Sequence, residues 1–306
     1  MPLITKKVAI VIPCFNEELT VEKVVRDFRR ELPDARVIVF DNNSSDATAA
    51  RALGAGAEVY NSPRKGKGAV IRHAFRTLEA DIYILVDGDD TYPAEAVHQL
   101  LKKLEDGADI ATGDRLSAGH YSKENKRPLH NFGNRLICRS INLLFDKKLN
   151  DVLTGYRAMS RRFVKSCPIL IDGFEVETEI TIHAIERLFE IVEVPVAYRD
   201  RPPGSISKLN TVSDGMTIMR SILWIFKDAK PLLFFSILAG IQLLPALIAL
   251  ANPAFQINSS PFLLAIGLTG VVTASVTFST GLALDTVVKL HRERFEMNIL
   301  KMGEND

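Results

Sequence analysis

The chain has 306 residues, of which 47% are hydrophobic, so it can bury a large core in one or two domains. Its 38 lysines and arginines balance 37 aspartates and glutamates, and a net charge of +1 provides no broad positive field for nucleic acid, which argues against such a partner. Three widely spaced cysteines argue against a disulfide framework or a zinc site and are typical of reduced thiols in a cytosolic compartment.

Strand and helix patterns alternate along the N-terminal two thirds of the chain. The strand patterns are β-branched runs with little polar alternation, which is typical of strands covered on both faces. This alternation predicts an α/β fold with a doubly wound, mostly parallel sheet, in which a ligand lies beyond the carboxyl ends of the strands. The predicted strands are 7–13, 35–41, 81–87, 109–114 and 191–197, and the predicted helices are 17–31, 46–53, 68–79 and 93–105.

Polar segments follow the first three predicted strands, as "PCFNEE", "DNNSSD" and "DGDDTYP". The "GAGA" at 54–57 does not follow the first strand, so it is a poor dinucleotide fingerprint and indicates a helix end instead. The sequence also lacks a glycine-rich loop of the Walker type. Any phosphate group must therefore be held by other means.

Three carboxylates end the third of these strands. Asp87 and Asp89 stand two residues apart, so both can turn an oxygen toward one hard divalent cation, Mg²⁺ or Mn²⁺. Such an ion would bridge a diphosphate and neutralise the charge that develops as it leaves. Alternatively, the stretch is a solvated acidic turn before a helix. In either case Asp90 is predicted to cap that helix, with Pro93 in its first turn.

Two amphipathic segments precede the most apolar part of the chain. In "NFGNRLICRSINLLF" apolar residues recur at helical spacing, while Arg135 and Arg139 stand four apart on another face. This predicts an interfacial helix with its cations at the level of lipid headgroups, or alternatively a core helix with exposed arginines. The segment "MTIMRSILWIFKDAK" has a similar pattern and carries Trp224, a residue type enriched at membrane interfaces.

Two uncharged stretches, 231–251 and 261–284, each exceed the roughly 20 residues that span a bilayer. They predict two transmembrane helices, the alternative being a buried hairpin of a soluble core. Lysines and arginines flank the pair but are missing from the loop between the stretches, which predicts both termini on the cytoplasmic side. The apolar run before Pro13 is too short for a signal peptide. The predicted divisions are a cytoplasmic domain (1–210), a juxtamembrane helix (211–230), a transmembrane hairpin (231–285) and a cytoplasmic tail (286–306) at the cell membrane.

Five motifs occur in a characteristic order: "VIPCFNEE", "VFDNNSSDAT", "VDGDD", "TGYR" and "RPPGSISK". In this order they resemble the family 2 glycosyltransferases of the GT-A fold, and the resemblance covers the predicted soluble domain almost end to end. With two C-terminal spans, the chain is similar to the polyprenyl-phosphate glycosyltransferases, relatives of dolichyl-phosphate mannose synthase. The resemblance implies inverting transfer of a hexose from a nucleotide sugar, UDP-glucose or similar before a GDP-sugar, to undecaprenyl or dolichyl phosphate, with Mg²⁺ or Mn²⁺. It also implies assembly into homo-oligomers.

The resemblance also assigns residues to the donor. The base and ribose would contact the first-strand loop and the aspartate that ends the second strand. Alternatively, Asn16 caps a helix and Asn42 with Asn43 forms a turn. The diphosphate would contact a basic loop, the acidic pair and the "RPPGSISK" loop, although that loop also resembles a plain linker. The nucleotide-binding residues are Pro13, Phe15, Glu17, Asp41, Lys67, Asp87, Arg201 and Ser207, with Asp87 and Asp89 as metal ligands.

On the acceptor side, the resemblance assigns Arg115, Arg135 and Arg139 to the lipid phosphate, for which guanidinium is well suited. Asp151 and Arg157 belong to a conformational motif near the sugar. Glu177 and Glu179 would contact the sugar or order the acceptor loop, or alternatively are solvated helix residues. The catalytic residues are Asp89, Arg115 and Lys208.

An acceptor phosphate is ionised at neutral pH, so the predicted reaction needs little or no general base. Catalysis would then come from positioning and charge stabilisation. Thr91 departs from the glutamine of close relatives of the mannose synthase, which leaves a third metal contact unassigned. The rival functions are a processive polysaccharide synthase, whose Gln-x-x-Arg-Trp motif the sequence lacks, a soluble nucleotidyltransferase and a catalytically silent, membrane-tethered nucleotide-sugar binding module.

Overall fold

A computed structural model of the protein describes residues 6–117, 128–173, 175–204, 214–251 and 261–303. The chain forms two compact units, Met1–Ile218 and Met219–Asp306. Ser207 and Lys208, which were predicted to contact the donor, lie outside the described residues.

The first unit is built on a seven-stranded sheet in the order β3-β2-β1-β4-β6-β5-β7. Neighbouring strands are parallel except that β6 runs antiparallel between β4 and β5. Strand β4 and most of β1 are buried, which explains their continuous apolar sequences. The strands are β1 Val8–Cys14, β2 Arg36–Asp41, β3 Glu58–Asn61, β4 Ile82–Leu85, β5 Ile110–Asp114, β6 Arg157–Ser160 and β7 Ile191–Pro195.

Helices connect the strands. The amphipathic α1 buries Val21, Val24, Val25 and Phe28 at helical spacing, as a helix covering a sheet should. The helices of this unit are α1 Val21–Glu31, α2 Thr48–Gly54, α3 Lys67–Thr77, a 3₁₀ turn Ala94–Ala96, α4 Val97–Glu105, α5 Pro128–Phe145, α6 Arg161–Ser166 and α7 Val176–Glu186.

The predicted α/β fold is confirmed, and each predicted strand and helix corresponds to an element of the sheet or its helices. Strands β3 and β6 were not predicted. Strand β3 is four residues long and partly exposed, and "RAMS" in β6 has no strand pattern of its own. The antiparallel position of β6 follows from its pairing with two flanking strands, which local sequence does not reveal.

The prediction that Asp90 caps the following helix is wrong. The backbone of Asp90 has φ of 59°, and its carboxylate bonds to Lys23 of α1 at 2.6 Å. The following 3₁₀ turn begins after Pro93 without a side-chain cap. The Asp90 carboxylate therefore forms an ion pair with Lys23 of α1 instead of capping the following helix.

The second unit contains two long apolar helices, and α8 Asp214–Ala229 precedes them. Helix α9 is Pro231–Ala251, and α10 is Pro261–Gly303, so the predicted tail continues as helix beyond the apolar stretch. Glycines of α10 allow close packing: a Cβ at Gly270 would lie 2.5 Å from that of Ala246. Thr277 donates a hydrogen bond of 3.0 Å to Gln242. By length and composition, 231–251 and 262–297 each contain enough apolar sequence to cross a membrane.

Candidate active site

The carboxyl ends of β1, β2 and β4 lie side by side, and the polar segments after them form the candidate site. Asn42, just past β2, donates to the carbonyls of Ser62 and Arg64 at 2.9 and 2.7 Å and accepts from Gly66 N at 2.8 Å. These bonds fasten the basic loop before α3 to the end of β2. Asn42 therefore links the end of β2 to residues 62–66 and is not merely part of a local turn.

Asp41, the last residue of β2, is 8% exposed. Its Oδ2 accepts from Ser44 N at 3.1 Å, whereas its buried Oδ1 has no hydrogen-bond partner among the residues that the structure describes. A buried carboxylate oxygen without a partner is costly, and such an atom is expected to accept a hydrogen bond from a ligand. Asp41 therefore fits its predicted role of binding donor groups of a base or ribose.

The loop after β1 lies next to Asp41. Phe15 is 42% exposed, and a partly exposed ring offers a face on which a base can stack. Pro13 is half-buried, and Glu17 is buried with its backbone N–H bonded to Thr48 Oγ1 at 2.8 Å. The alternative role of Asn16 as a helix cap is wrong, because Asn16 accepts from Ser45 N and α1 begins after Thr20.

The acidic pair follows β4 in a crowded turn. A Cβ at Gly88, between the two aspartates, would lie 2.5 Å from Cys14 Sγ. A Cβ at Gly155 would overlap the Asp87 carboxylate, so both glycines are needed for the close approach. Thr20 Oγ1 holds the turn by donating to Gly88 O at 2.7 Å. The alternative of a solvated turn is wrong for Asp89, which is 4% exposed.

Each aspartate has a basic partner from elsewhere in the chain. Lys67 Nζ lies 2.6 Å from Asp87 Oδ1 and 2.5 Å from Glu177 Oε1. Arg201 lies 2.6 Å from Asp89 Oδ2 and 3.4 Å from Glu17 Oε1. Four carboxylates thus face two cations in these ion pairs, which leaves an excess of two negative charges when all are ionised.

The pKa values reflect this crowding. Burial, together with the charge of Asp87, raises the pKa of Asp89 against the opposing effect of Arg201. Burial by itself would lower the pKa of Lys67, but Asp87 and Glu177 outweigh it and raise the pKa above its ordinary value. Lys67 is therefore a permanent cation, and the acidic pair is the place where further positive charge would be favourable.

The residues present fit a divalent cation with an incomplete protein shell. Both oxygens of Asp89 are engaged, one by Arg201 and the other by Thr91, whose Oγ1 donates at 2.6 Å. Asp87 Oδ2 has no hydrogen-bond partner within the described parts of the chain. Among the residues that the structure describes, no three His, Cys, Asp or Glu side chains form a group that could hold a metal ion, so water and phosphate oxygens would have to complete the shell.

Arg115, which was predicted to contact the acceptor phosphate, lies just after β5. Its Nε and Nη2 bond to Asp151 at 2.6 and 2.8 Å, and its guanidinium lies 5.4 Å from the centre of the Tyr198 ring. Burial by itself would raise the pKa of Asp151, but Arg115 holds it below its ordinary value. Asn134 donates to the same carboxylate at 2.9 Å. Arg115 is therefore largely neutralised, and its predicted contact with phosphate would use the edge that Asp151 does not bind.

Arg135 and Arg139 are both exposed on α5, as the amphipathic pattern predicted. They line a depression of about 320 Å³ together with Ser117, Asn142 and Asn150. Because neither arginine has an ion-pair partner among the described residues, their charges are open to an anion. These two arginines therefore fit the predicted phosphate contact better than Arg115 does.

Arg157, predicted to belong to a conformational motif near the sugar, is buried at the start of β6. It is 1% exposed and donates to the carbonyls of Val152, Thr154 and Glu177 and to the hydroxyl of Thr181. These bonds use its guanidinium to tie the segment before β6 to α7. Arg157 therefore fixes the walls of the site, and its hydrogen bonds are directed at the protein rather than at a sugar.

Glu177 and Glu179 are buried at the start of α7, so their alternative as solvated helix residues is wrong. Glu177 forms the ion pair with Lys67. Glu179 accepts from the backbone N–H groups of Leu170 and Ile171 at 2.9 and 3.2 Å, and burial raises its pKa. Glu179 thus holds the segment before α7, while its predicted contact with the sugar or the acceptor loop stays a prediction.

Glu193 was missed from the sequence, although a charged residue inside the apolar strand "IVEVP" was a signal. It accepts from the N–H groups of Asn150 and Asp151 at 2.9 Å each, and burial raises its pKa. It therefore holds the backbone that carries the partner of Arg115. Asp114 has a similar role beside it, because it accepts from the N–H groups of Leu116 and Ser117.

Comparisons with known proteins identify the family and the fold. Residues 9–167 match the family described as Glycosyl transferase family 2. Glycosyltransferase AglJ of Haloferax volcanii is 30% identical over 296 residues, which are 94% of this chain and 96% of that protein. The dolichyl-phosphate hexose transferase of the same organism is 29% identical over 70% of this chain and 91% of that protein.

A crystal structure of the glucosyl-3-phosphoglycerate synthase of Mycobacterium tuberculosis matches with a TM-score of 0.59 and 22% identity, over 74% of this chain and 81% of that one. That likeness confirms the predicted GT-A fold. The same synthase has been crystallised with Mn²⁺, UDP and phosphoglyceric acid, and this complex matches with a TM-score of 0.58 and 22% identity over 74% of this chain and 79% of that one.

Proposed function

This chain belongs to glycosyl transferase family 2, and we propose that it transfers a hexose from a UDP sugar, UDP-glucose or similar, to the phosphate of a polyprenyl carrier lipid. An oxygen of the acceptor phosphate would form a bond to the anomeric carbon from the face opposite the diphosphate. The bond between that carbon and the diphosphate oxygen breaks, and its electron pair leaves with UDP. The product is then a β-linked polyprenyl-phosphate hexose.

The observation that carries the proposal is that one edge of the sheet holds the acidic pair Asp87 and Asp89 together with a buried Asp41 oxygen that has no hydrogen-bond partner among the described residues. Asp41 would accept a hydrogen bond from the base or ribose, and the exposed ring of Phe15 would support the base. Pro13 and Glu17 shape the same loop. The Mn²⁺ and UDP bound by the Mycobacterium tuberculosis synthase support a UDP donor and a divalent cation.

Asp87 and Asp89 would hold Mg²⁺ or Mn²⁺, which when bound neutralises the charge that develops on the leaving diphosphate. Lys67 and Arg201 already face these carboxylates and are within reach of oxygens brought by a diphosphate. Both side chains are partly buried, which strengthens their interaction with phosphate relative to water. Ser207 and Lys208 are assigned to the same task by their motif alone.

The acceptor phosphate would bind between Arg115 and the exposed pair Arg135 and Arg139. A phosphate monoester is ionised at neutral pH, so these arginines need only attract and orient it, and no base has to remove a proton. Arg157, Glu177 and Glu179 would keep the surrounding segments in place. The name of the Haloferax volcanii dolichyl-phosphate hexose transferase supports a lipid phosphate as the acceptor.

A lipid acceptor requires a site beside a membrane. Helices α9 and α10 are long and apolar enough to supply the anchor, and the positive flanks favour a cytoplasmic position for both termini. We propose the divisions 1–210, 211–230, 231–285 and 286–306 for the catalytic domain, juxtamembrane helix, membrane hairpin and tail. Assembly into homo-oligomers through the hairpin belongs to the same proposal.

The test is to incubate the purified full chain in detergent with a panel of UDP-sugars and GDP-sugars, undecaprenyl phosphate, and Mn²⁺ or Mg²⁺, and to identify lipid products by mass. We expect one hexose per lipid phosphate, from a UDP-sugar and only with a divalent cation. A long polymer would favour the processive synthase instead. Failure of every donor to yield a glycosylated lipid, with undecaprenyl or dolichyl phosphate, would refute the proposal.

A further inference from the structure

The ammonium group of Lys67 lies between two carboxylates that come from different parts of the chain. Asp87 Oδ1, after β4, is at 2.6 Å, and Glu177 Oε1, in the first turn of α7, is at 2.5 Å. The side chains of Lys67 and Glu177 are 12% and 6% exposed, whereas that of Asp87 is 26% exposed. Asp87 is thus the most exposed member of the trio.

The two oxygens of Asp87 have different surroundings. Oδ1 accepts the bond from Lys67, whereas Oδ2 faces Gly155 and has no hydrogen-bond partner in the described part of the chain. Neither oxygen of Asp89 is open in this way, because Thr91 and Arg201 bind both. Asp87 Oδ2 is therefore the oxygen of the acidic pair that is best placed to bind a cation.

The elements that carry Lys67 and Glu177 pack closely against neighbouring segments. The backbone N–H of Gly68 bonds to Asp172 O at 3.0 Å, and a Cβ at Gly68 would overlap Ile171 O, so the start of α3 lies directly on the segment before α7. Arg157 donates to Glu177 O at 3.0 Å and fixes the start of α7. These contacts fix where the Lys67 ammonium lies relative to Glu177.

We propose that Glu177 is a positioning residue for Asp87: by sharing the Lys67 ammonium, it keeps Asp87 available as a ligand for a divalent cation. This inference rests on the proposed function, because it takes Asp87 to be a metal ligand there. A cation paired with one carboxylate alone lowers the affinity of that carboxylate for a second cation. When the Lys67 ammonium is shared between Asp87 and Glu177, it neutralises the charge of Asp87 less than it would if it paired with Asp87 alone.

The proposal predicts effects of opposite sign for the two partners. Glu177→Gln removes the competing charge, so Lys67 pairs with Asp87 alone and the affinity for Mn²⁺ falls. Lys67→Gln removes the competing cation, so the affinity for Mn²⁺ rises. If the Glu177 charge acted on the bound cation only through space, its effect on Mn²⁺ affinity would be at least as large in the Lys67→Gln background as in the wild type. In that background no ammonium offsets the charge of Glu177.

The test is an electron paramagnetic resonance titration of Mn²⁺ into the purified full chain without nucleotide. We expect Glu177→Gln to weaken Mn²⁺ binding about tenfold, and only about twofold in the Lys67→Gln background, within the range of coupling between contacting residues. Lys67→Gln alone should tighten Mn²⁺ binding about threefold. The matched control is Glu175→Gln, which makes the same charge change one residue before α7 and should alter Mn²⁺ binding less than about twofold.

Glu177→Asp keeps the charge on a shorter side chain and should restore Mn²⁺ affinity to within about threefold of the wild type. Equal or larger weakening by Glu177→Gln in the Lys67→Gln background overturns the proposal, as does no weakening at all. A wild type that binds no Mn²⁺ overturns it as well. If the expected pattern of Mn²⁺ binding appears while no lipid product forms with any donor, the transfer reaction is wrong and the role of Glu177 stands.

Discussion

The donor edge of the sheet and the acceptor framework differ in how completely their charged groups are paired. At the donor edge, defined by Asp41, Asp87 and Asp89, carboxylates outnumber their cationic partners and two carboxylate oxygens lack partners among the described residues. In the acceptor framework, defined by Arg115, Asp151 and Glu193, each of these charged groups has a hydrogen-bond donor or acceptor. The first region is incomplete without a ligand, whereas the second supports a site without one.

This difference separates residues that are proposed to bind a ligand from residues that stabilise the fold around the site. A substitution of Asp87 or Asp89 should impair ligand binding and turnover while the fold persists, because Lys67 and Arg201 each keep a second carboxylate partner, Glu177 or Glu17. A substitution in the acceptor framework should destabilise the fold first. Among the assigned arginines, Arg135 and Arg139 are exposed and are proposed to bind, whereas Arg157 is buried and bonds to the protein.

The largest expected effect is on stability. Asp151→Ala leaves the buried guanidinium of Arg115 without its carboxylate and should lower the free energy of unfolding by about 3–5 kcal/mol. Denaturant unfolding of the purified protein, followed by circular dichroism, measures this loss. The control Asp27→Ala breaks exposed pairs with Lys23 and Arg30 and should cost less than about 1 kcal/mol. Equal stability of the Asp151 and Asp27 variants would remove the distinction between the two regions.

Asp89→Ala tests the donor edge. We expect the rate of sugar transfer to fall at least about a hundredfold, as for other groups that stabilise developing charge, while the unfolding temperature stays near that of the wild type. The fold tolerates the change because the burial of Asp89 raises its pKa, which means that the carboxylate is held at a cost. Asp90→Ala, which breaks only a partly exposed pair with Lys23, is the control. Full metal-dependent turnover by the Asp89 variant would contradict the assignment.

Arg135→Ala and Arg139→Ala should have intermediate effects that are confined to the acceptor. Each variant removes an exposed cation beside the depression near Asn142, so KM for polyprenyl phosphate should rise about five- to tenfold while KM for the nucleotide sugar is unchanged. Steady-state kinetics with each substrate varied in turn separates the two constants. Lys102→Ala, an exposed cation on α4, should change neither constant. A rise in the donor KM alone would place these arginines in the wrong region.

The smallest effect is a dependence on pH. The pKa of Asp151 is lowered in the folded protein, so its ion pair contributes stability above the ordinary aspartate pKa of about 3.9 and loses it as the pH falls through the folded pKa. The difference in unfolding temperature between the wild type and Asp151→Asn should therefore stay constant from about pH 8 to about pH 5 and shrink below about pH 4. A difference that already disappears near neutral pH would show that Arg115 does not hold the carboxylate.

The two regions also differ in how well sequence predicted them. The donor edge follows from local pattern, because strands that end in polar residues are recognisable and parallel strands bring their carboxyl ends together. Asp41, Asp87 and Asp89 were found in this way. The acceptor framework joins residues far apart in sequence: Glu193 bonds to the backbone at 150 and 151, and Arg157 reaches Thr181. No spacing rule connects such positions.

The amino-acid sequence by itself determined the α/β class, the sheet edge that carries the acidic pair and the two membrane-length helices, because hydrophobic periodicity and chain order are local properties. Only the tertiary structure decided which charges pair. It directed Asp90 to Lys23, buried Arg157 among carbonyls and divided Lys67 between Asp87 and Glu177. The physical reason is that ion pairing depends on distances of a few ångströms between side chains from separate elements, and these distances are set only when the elements pack.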